Sequence, residues 1–321
     1  MSAADSPLPQ QENSSRNQNG RRNNVKHMEQ RSRYTFKKLG EAVKLTNFSI
    51  RTKLAILSTI LGIYLLAVVI FTFTSMGMQS TAVNYTQKLL SPSLSHLFGT
   101  DQLGRDMLAF SLQGMANSLI IGLIATLVST FLAVIFGLLA AIYGGAVDWG
   151  INFLIDLFLS MPHIVLLILI SFMFGKGIFG VAAAVALTHW PTLARVVREE
   201  VLAVRSSQYV MAARALGKTR FQIAHIHLLP HIIPAALVGA ILLFPHAIMH
   251  EAAITFLGFG LPREIPAIGN ILANAMNYLA MGNWWLALFP GLLLFLAVAL
   301  IFGVGRKCKN FSIQGAHKNN G

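Results

Sequence analysis

Six separate stretches of this chain are apolar over the roughly 20 residues that a helix needs to cross a hydrocarbon core. They lie near 54–76, 117–142, 150–174, 178–197, 232–257 and 284–305. In lipid every backbone N–H and C=O must be paired within the protein, which leaves helices or closed barrels, and runs of this length read as helices. The expected fold is therefore all-α, a polytopic integral membrane protein with six transmembrane helices. Only 12% of the residues are charged, about half the share of an ordinary soluble domain. That excludes a soluble enzyme, a disordered chain and a collagen-like fibre. The single cysteine, Cys308, excludes an internal disulfide framework and any multi-cysteine zinc site.

What charge there is follows topology. Of 25 Lys and Arg, 11 fall in residues 1–53, six in 194–231 and four in 306–318, leaving Lys88, Arg105, Lys176 and Arg263 elsewhere. These basic segments alternate with hydrophobic pairs, as cytoplasmic segments do. Both termini are accordingly expected in the cytoplasm, and no nucleic acid is expected as a partner despite the net charge of +13. Residues 1–50 read as a disordered basic tail, 51–306 as the six-helix membrane domain and 307–321 as a cytoplasmic C-terminal tail. The first apolar run starts only near Leu54 and is long enough to span, so no cleavable leader is expected. Prolines in the third to sixth spans suit kinked helices that line a path, because neighbouring helices can satisfy the freed carbonyls.

Two connections exceed simple turns. The outer one, about 77–116, carries a run from Ser95 to Asp106. The inner one, about 198–231, places Val204, Tyr209, Ala213 and Leu216 at helical spacing. It then breaks at Gly217 and continues as a second short helix ending near Pro230, a helix–turn–helix on the cytoplasmic face. Residue chemistry alone leaves two readings, a membrane-surface helix or a docking element. Two enzyme signatures fail. Gly217-Lys218-Thr219 resembles the end of a P-loop, but Ala212 stands where its first glycine belongs; His250-Glu251 opens a zinc-protease pattern whose second histidine position is Ile254.

The inner loop carries a specific resemblance. Tyr209-Val210-Met211-Ala212-Ala213-Arg214-Ala215-Leu216-Gly217, followed by His227-Leu228-Leu229-Pro230, resembles the EAA loop of ABC importer permeases. More narrowly, the chain is similar to the dipeptide/oligopeptide/nickel permeases, in the branch that partners a second, homologous permease. Phe98-Gly99-Thr100-Asp101-Gln102-Leu103-Gly104-Arg105-Asp106, Trp190 with Ala194-Arg195-Val196-Val197-Arg198, and Phe256-Leu257-Gly258-Phe259-Gly260 match in the same order. Met211 replaces the usual acid, and Pro266-Ala267-Ile268-Gly269 lacks the Trp that many relatives carry before the Gly. The usual Gly-Asp and acidic-basic C-terminal end is replaced by Arg306-Lys307-Cys308-Lys309.

The resemblance implies an ABC importer permease architecture and a transport subunit without its own ATP site or cofactor. Its implied partners are a second permease, two cytoplasmic ABC ATPases, an extracytoplasmic solute-binding protein and membrane lipid. It implies residence in a bacterial or archaeal cytoplasmic membrane. Coupling to the ATPase would fall on Ala212, Ala213, Arg214, Leu216, Gly217, Lys218, Leu229 and Pro230. Physically, a glycine-turned knob ringed by Arg214, Lys218 and Arg220 can convert closure of an ATPase groove into a tilt of the spans. The Gly99–Asp106 segment reads as surface packing, since glycines and an Arg–Asp pair suit a structural turn.

Polar groups at hydrocarbon depth are functional candidates, here Asp156, His163, His189 and Glu251 along the pore. His246 and His250 lie four apart, share a helical face and offer two imidazoles to one metal; interhelical hydrogen bonding is the other reading of such histidines. The solute stays open between nickel, as ion or chelate, and short peptides. Two rivals are an intramembrane metal-dependent enzyme, which lacks a third strong ligand in the sequence, and an ion-gradient-driven secondary transporter, for which no internal repeat is evident.

Overall fold

The computed structural model describes residues 52, 54–70, 72 and 82–319. The expected tail 1–50 and the end of the first expected span lie outside them. Among the described residues, those from Leu57 onward form one compact unit. Apart from an isolated bridge between Thr100 and Asp106, the regular structure among the described residues is helical. Helix α1 is Leu54–Ile70. After a short turn at Tyr85–Gln87 come α2 (Met107–Tyr143), α3 (Gly145–Ser160), α4 (His163–Met173) and α5 (Gly177–Arg205). Then follow α6 (Gln208–Ala215), α7 (Arg220–Ile223), α8 (Leu229–Phe256), α9 (Ile268–Leu279) and α10 (Trp285–Asn319). α10 thus runs on through most of the expected C-terminal tail.

α2, α5, the continuous helix Arg220–Phe256 and α10 are each long and apolar enough to cross a membrane. The second span begins at Met107, ten residues before its expected start, because the Asp106 carboxylate accepts from the Ala109 N–H and caps the helix. The third span is not one helix: α3 and α4 meet at 103°. Pro162 causes the break. The residue before a proline is pushed to extended backbone, and Met161 sits at φ −83°, ψ 145°. Pro191, Pro234, Pro245 and Pro290 stand inside unbroken helices, so among the described residues Pro162 is the proline that stops a span.

The inner connection is shorter than expected. α5 runs to Arg205, and α7 flows through a single π-turn, Ala224–Leu228, into α8. Pro230 therefore stands in the first turn of α8 instead of ending a helix. The wider turn pairs the Leu229 N–H with the Ala224 carbonyl, an i→i−5 bond that keeps the backbone satisfied just ahead of a residue with no N–H to give.

The helices pack through small residues. α2 lies most extensively along α5, and its buried face repeats Ala125, Ser129, Ala133, Gly137 and Ala141 every fourth residue. Small side chains let backbones approach closely, which drives helix association in lipid. At Gly137 the approach to α5 is close: a β-carbon there would stand 2.8 Å from the Ala194 carbonyl oxygen and from Val197 Cγ1. The opposite face of α2 leaves Ile120, Leu123, Leu127 and Phe131 exposed, as a lipid- or partner-facing surface does. Replacing Gly137 with Val should wedge α2 from α5 at a cost of about 1–3 kcal/mol. Thermal denaturation of the purified chain in detergent checks this, with Gly150→Val, which has open space around it, as the control.

Candidate functional site

Two ends and a middle of the bundle carry the residues singled out by sequence. At the N-terminal end of α2, the Phe98–Asp106 run folds on itself. Asp101, 3% exposed, accepts from the Leu103 and Arg105 backbone N–H groups and from Arg105 Nε at 2.6 Å. Thr100 accepts from the Leu90 N–H and donates to the Gln87 carbonyl. His96 Nδ1 lies 2.8 Å from Asp106, and the Arg105 guanidinium covers the Phe110 ring at 3.8 Å. Thr100, Asp101 and Asp106 are thus engaged by Gln87, Leu90, Arg105 and His96, and Asp106 caps α2.

At the other end lies the turn 206–228. The expected face does not form as one surface, because Val204 belongs to α5 while α6 buries Val210 and Ala213 and exposes Tyr209 and Leu216. A helix of eight residues has room for one narrow buried stripe, and Val210 and Ala213, three apart, fill it. Gly217, at φ +79°, closes α6 in the left-handed conformation that glycine adopts without a β-carbon penalty. Its N–H donates to the Arg214 carbonyl and the Lys218 N–H to that of Ala213, a Schellman cap. Thr219 then opens α7 through a capping box with Gln222. The result is a rigid knob whose buried side is Val210, Ala213, Ile223 and Leu228 and whose tip bears Leu216, 83% exposed, and Phe221, 76% exposed. Arg214, Lys218 and Arg220 are exposed around that tip, as are Ala212 and Pro230, while Leu229 is half-buried.

The 194–198 run braces this end. Ala194 and Val197 are the groups that face Gly137, Arg195 pairs with Asp156 at 2.6 Å, and Arg198 grips both oxygens of Asp148 at 2.6 Å. Arg205 donates to the Ala141 carbonyl near the end of α2. Asp156, expected along the pore, is thus committed to an exposed α3–α5 ion pair. The Asp148–Arg198 fork is absent from the sequence reading, because 50 residues separate its partners and nothing local marks them as a pair.

In the middle, three helices bring imidazoles together. Ring centroids are 4.9 Å apart for His163 and His189, 4.4 Å for His163 and His250, and 5.0 Å for His189 and His250. One nitrogen from each lies within 4.8 Å of the others. His189 Nδ1 is 2.8 Å from the Val185 carbonyl. The expected partner His246 is elsewhere, with Nδ1 on the Leu242 carbonyl and its ring against Phe302. Glu251, fully buried, accepts from Thr255 Oγ1 at 3.1 Å and is not among the three groups that converge. Sequence spacing could suggest a pair four apart on one helix; it could not show that a histidine after a broken span and one from α5 reach the same point.

On the face opposite the knob, a cavity of about 520 Å³ is bordered by Lys176, Gly260, Arg263, Asn270, Asn274 and Asn277. Two of the four basic residues outside the three basic segments, Lys176 and Arg263, border it. Asn270 Nδ2 donates to the Pro262 and Ile265 carbonyls and holds the loop that forms the rim.

Residues 133–306 match the family described as binding-protein-dependent transport system inner membrane component. The chain is 32% identical over 252 residues to the probable D,D-dipeptide transport system permease protein DdpC of Escherichia coli K12, covering 78% of this chain and 83% of the relative. It is 33% identical over 205 residues to the dipeptide transport system permease protein DppC of Bacillus subtilis, covering 64% of each. A putative peptide transport system permease protein of Brucella suis biovar 1 is 34% identical over 246 residues, 77% of this chain and 82% of the relative. Among solved structures, an inward-facing conformation of the MetNI methionine ABC transporter has a similar fold. Its TM-score is 0.52 at 20% identity, over 64% of this chain and 97% of that chain.

If the Phe98–Asp106 run is a packing device, Asp101→Ala strands a partly buried guanidinium and should cost about 1–3 kcal/mol. Arg105→Ala should cost a similar amount, and the double variant less than the sum. Thermal midpoints of the three purified variants decide it, and strict additivity would refute the pairing.

Proposed function

The chain belongs to the binding-protein-dependent transport system inner membrane components as an ABC importer permease of the dipeptide/oligopeptide family, and from that premise we propose that its knob at 206–228 is the seat of an ATPase and its solute a short peptide. It is a multi-pass transport subunit and not an enzyme; ATP hydrolysis belongs to partner subunits. The observation that carries the docking proposal is the exposed Leu216–Phe221 tip on a rigid, capped base. An apolar tip ringed by Arg214, Lys218 and Arg220 fits a groove with apolar walls and an acidic rim. Ala212, Gly217, Leu229 and Pro230 would lie along that contact, with Ala213 supporting it from beneath. The Arg195–Asp156 and Arg198–Asp148 pairs join α5 to α3, so a push on the knob would move these helices as one body. A second, homologous permease would complete the path, two ATPases would drive it, and an extracytoplasmic binding protein would deliver solute.

The peptide reading rests on the names of the relatives and on the cavity opposite the knob. Lys176 and Arg263 there offer positive charge to a carboxylate, and Asn274 and Asn277 offer amide hydrogen bonds. A second reading, nickel as ion or chelate, is favoured by the three convergent imidazoles, since borderline metals accept nitrogen donors. The intramembrane enzyme and the gradient-driven carrier have no such observation behind them. Uptake of a labelled dipeptide and of radiolabelled nickel, in cells with and without this gene, separates the two solutes. Leu216→Asp should lower the affected flux at least about tenfold through lost ATPase contact while changing the chain's own stability by less than about 0.5 kcal/mol, as an exposed position does. Full flux in that variant would remove the knob from the coupling path.

A further inference from the structure

We propose that His163, His189 and His250 form a binding site for a divalent transition-metal ion held by three imidazole nitrogens. The three rings come from α4, α5 and α8 and meet at interplanar angles of 84°, 60° and 61°, edges toward rings and not in parallel stacks. A nitrogen of each lies within 4.8 Å of the other two, so sub-ångström to ångström shifts would bring all three to the roughly 2.0–2.1 Å bond length of an imidazole–metal contact.

The hydrogen bonds select the ligating atoms. The Val185 carbonyl can only accept, so His189 Nδ1 carries its proton toward it, and Nε2 keeps the lone pair. Fixing one ring nitrogen on a carbonyl so that the other can ligate is the usual support of a metal-bound histidine. Thr188 Oγ1, 3.1 Å from the same Nδ1, steadies the ring further. His163 Nε2 is buried and has no hydrogen-bond partner among the described residues. A polar atom left in that state destabilises the fold unless something binds it, and an ion shared with the two neighbouring rings would do so.

The donor set also specifies the ion. Neither carboxylate nearby in sequence takes part: Glu251 bonds Thr255 and Asp156 pairs with Arg195. Three nitrogens without an oxygen anion suit nickel, cobalt, copper or zinc and disfavour magnesium and calcium. His163 and His250 are only half-buried, which leaves an approach for the ion and a coordination position for water or a donor group of a solute. His163 is also the first residue of α4, directly after the 103° elbow at Pro162. A bound ion would therefore tie that elbow to α5 and α8. The binding itself stands independently of the proposed function; a role for the ion on the solute path rests on that reading.

The test uses the full chain purified in detergent with whatever subunits accompany it, carrying an affinity tag free of histidine. Titration with Co²⁺, read by its visible ligand-field absorption, and equilibrium dialysis with Ni²⁺ should give about one saturable ion per chain. His163→Ala, His189→Ala and His250→Ala should each weaken binding at least about tenfold. His246→Ala and the paired change His225→Ala with His227→Ala should leave it intact. Where an alanine variant fails to fold, His250→Asp decides: it should still bind Co²⁺, with an absorption spectrum altered by the new oxygen ligand. Unchanged affinity in the three alanine variants, an unaltered spectrum in His250→Asp, or loss of the site in the His225/His227 variant overturns the proposal. Leu216→Asp should bind metal normally, so failure of coupling and failure of this site are read separately.

Discussion

The seam between α2 and α5 is what the other features depend on. With no hydrophobic drive between helices in lipid, two spans hold together only where their backbones come close enough for dense packing. The fourfold-spaced small residues of α2 permit that, and at Gly137 the Ala194 carbonyl and Val197 leave no room for a β-carbon. Once α5 is seated, its outward face places Arg195 and Arg198 opposite Asp156 and Asp148 on α3. Its middle presents His189, and its end positions the knob. One packing decision thus sets the brace, the imidazole cluster and the docking surface together.

The elbow at Pro162 is the second constraint. A proline inside a lipid-exposed helix usually bends it, yet here the backbone at Met161 turns fully extended and the helix restarts at His163. The 103° break directs His163 toward α5 and α8 rather than along the axis of α3. The same break leaves α3 free to pair through Asp148 and Asp156 with α5, so the polar groups of one broken span serve two different neighbours.

Several motifs that sequence reading could only quote have distinct physical jobs. Ala194, Arg195, Val197 and Arg198 look like one signature, but two of them pack against a glycine and two grip carboxylates. Phe98–Asp106, which reads as a structural turn, contains a helix cap at Asp106 and an Asp101–Arg105 ion pair. The apolar spacing at 204–216 suggested one amphipathic face, whereas the buried stripe is Val210 and Ala213, leaving Leu216 to the surface. Register within so short a helix is set by what it packs on, and here that surface comes from both α5 and α7, which the spacing within 208–215 does not specify.

Sequence by itself determined the class of this protein. Apolar length, depleted charge and basic segments in alternation point to a helical membrane bundle, because runs of about 20 apolar residues match a spanning helix and are about twice the length of a barrel strand. The Ala-Ala-Arg-Ala-Leu-Gly run and its downstream Leu-Pro pointed to an ABC importer permease, since a capped turn at Gly217 is a local property. Only the tertiary structure decided which polar residues meet. His163, His189 and His250 are separated by 26 and 61 residues, and their convergence depends on a broken span and on the depth at which α8 docks. His246, one turn away from His250 and the natural partner by spacing, is drawn to Phe302 on α10. Periodicity records which face of a helix a residue occupies; what stands opposite that face is fixed by packing between helices distant in the chain.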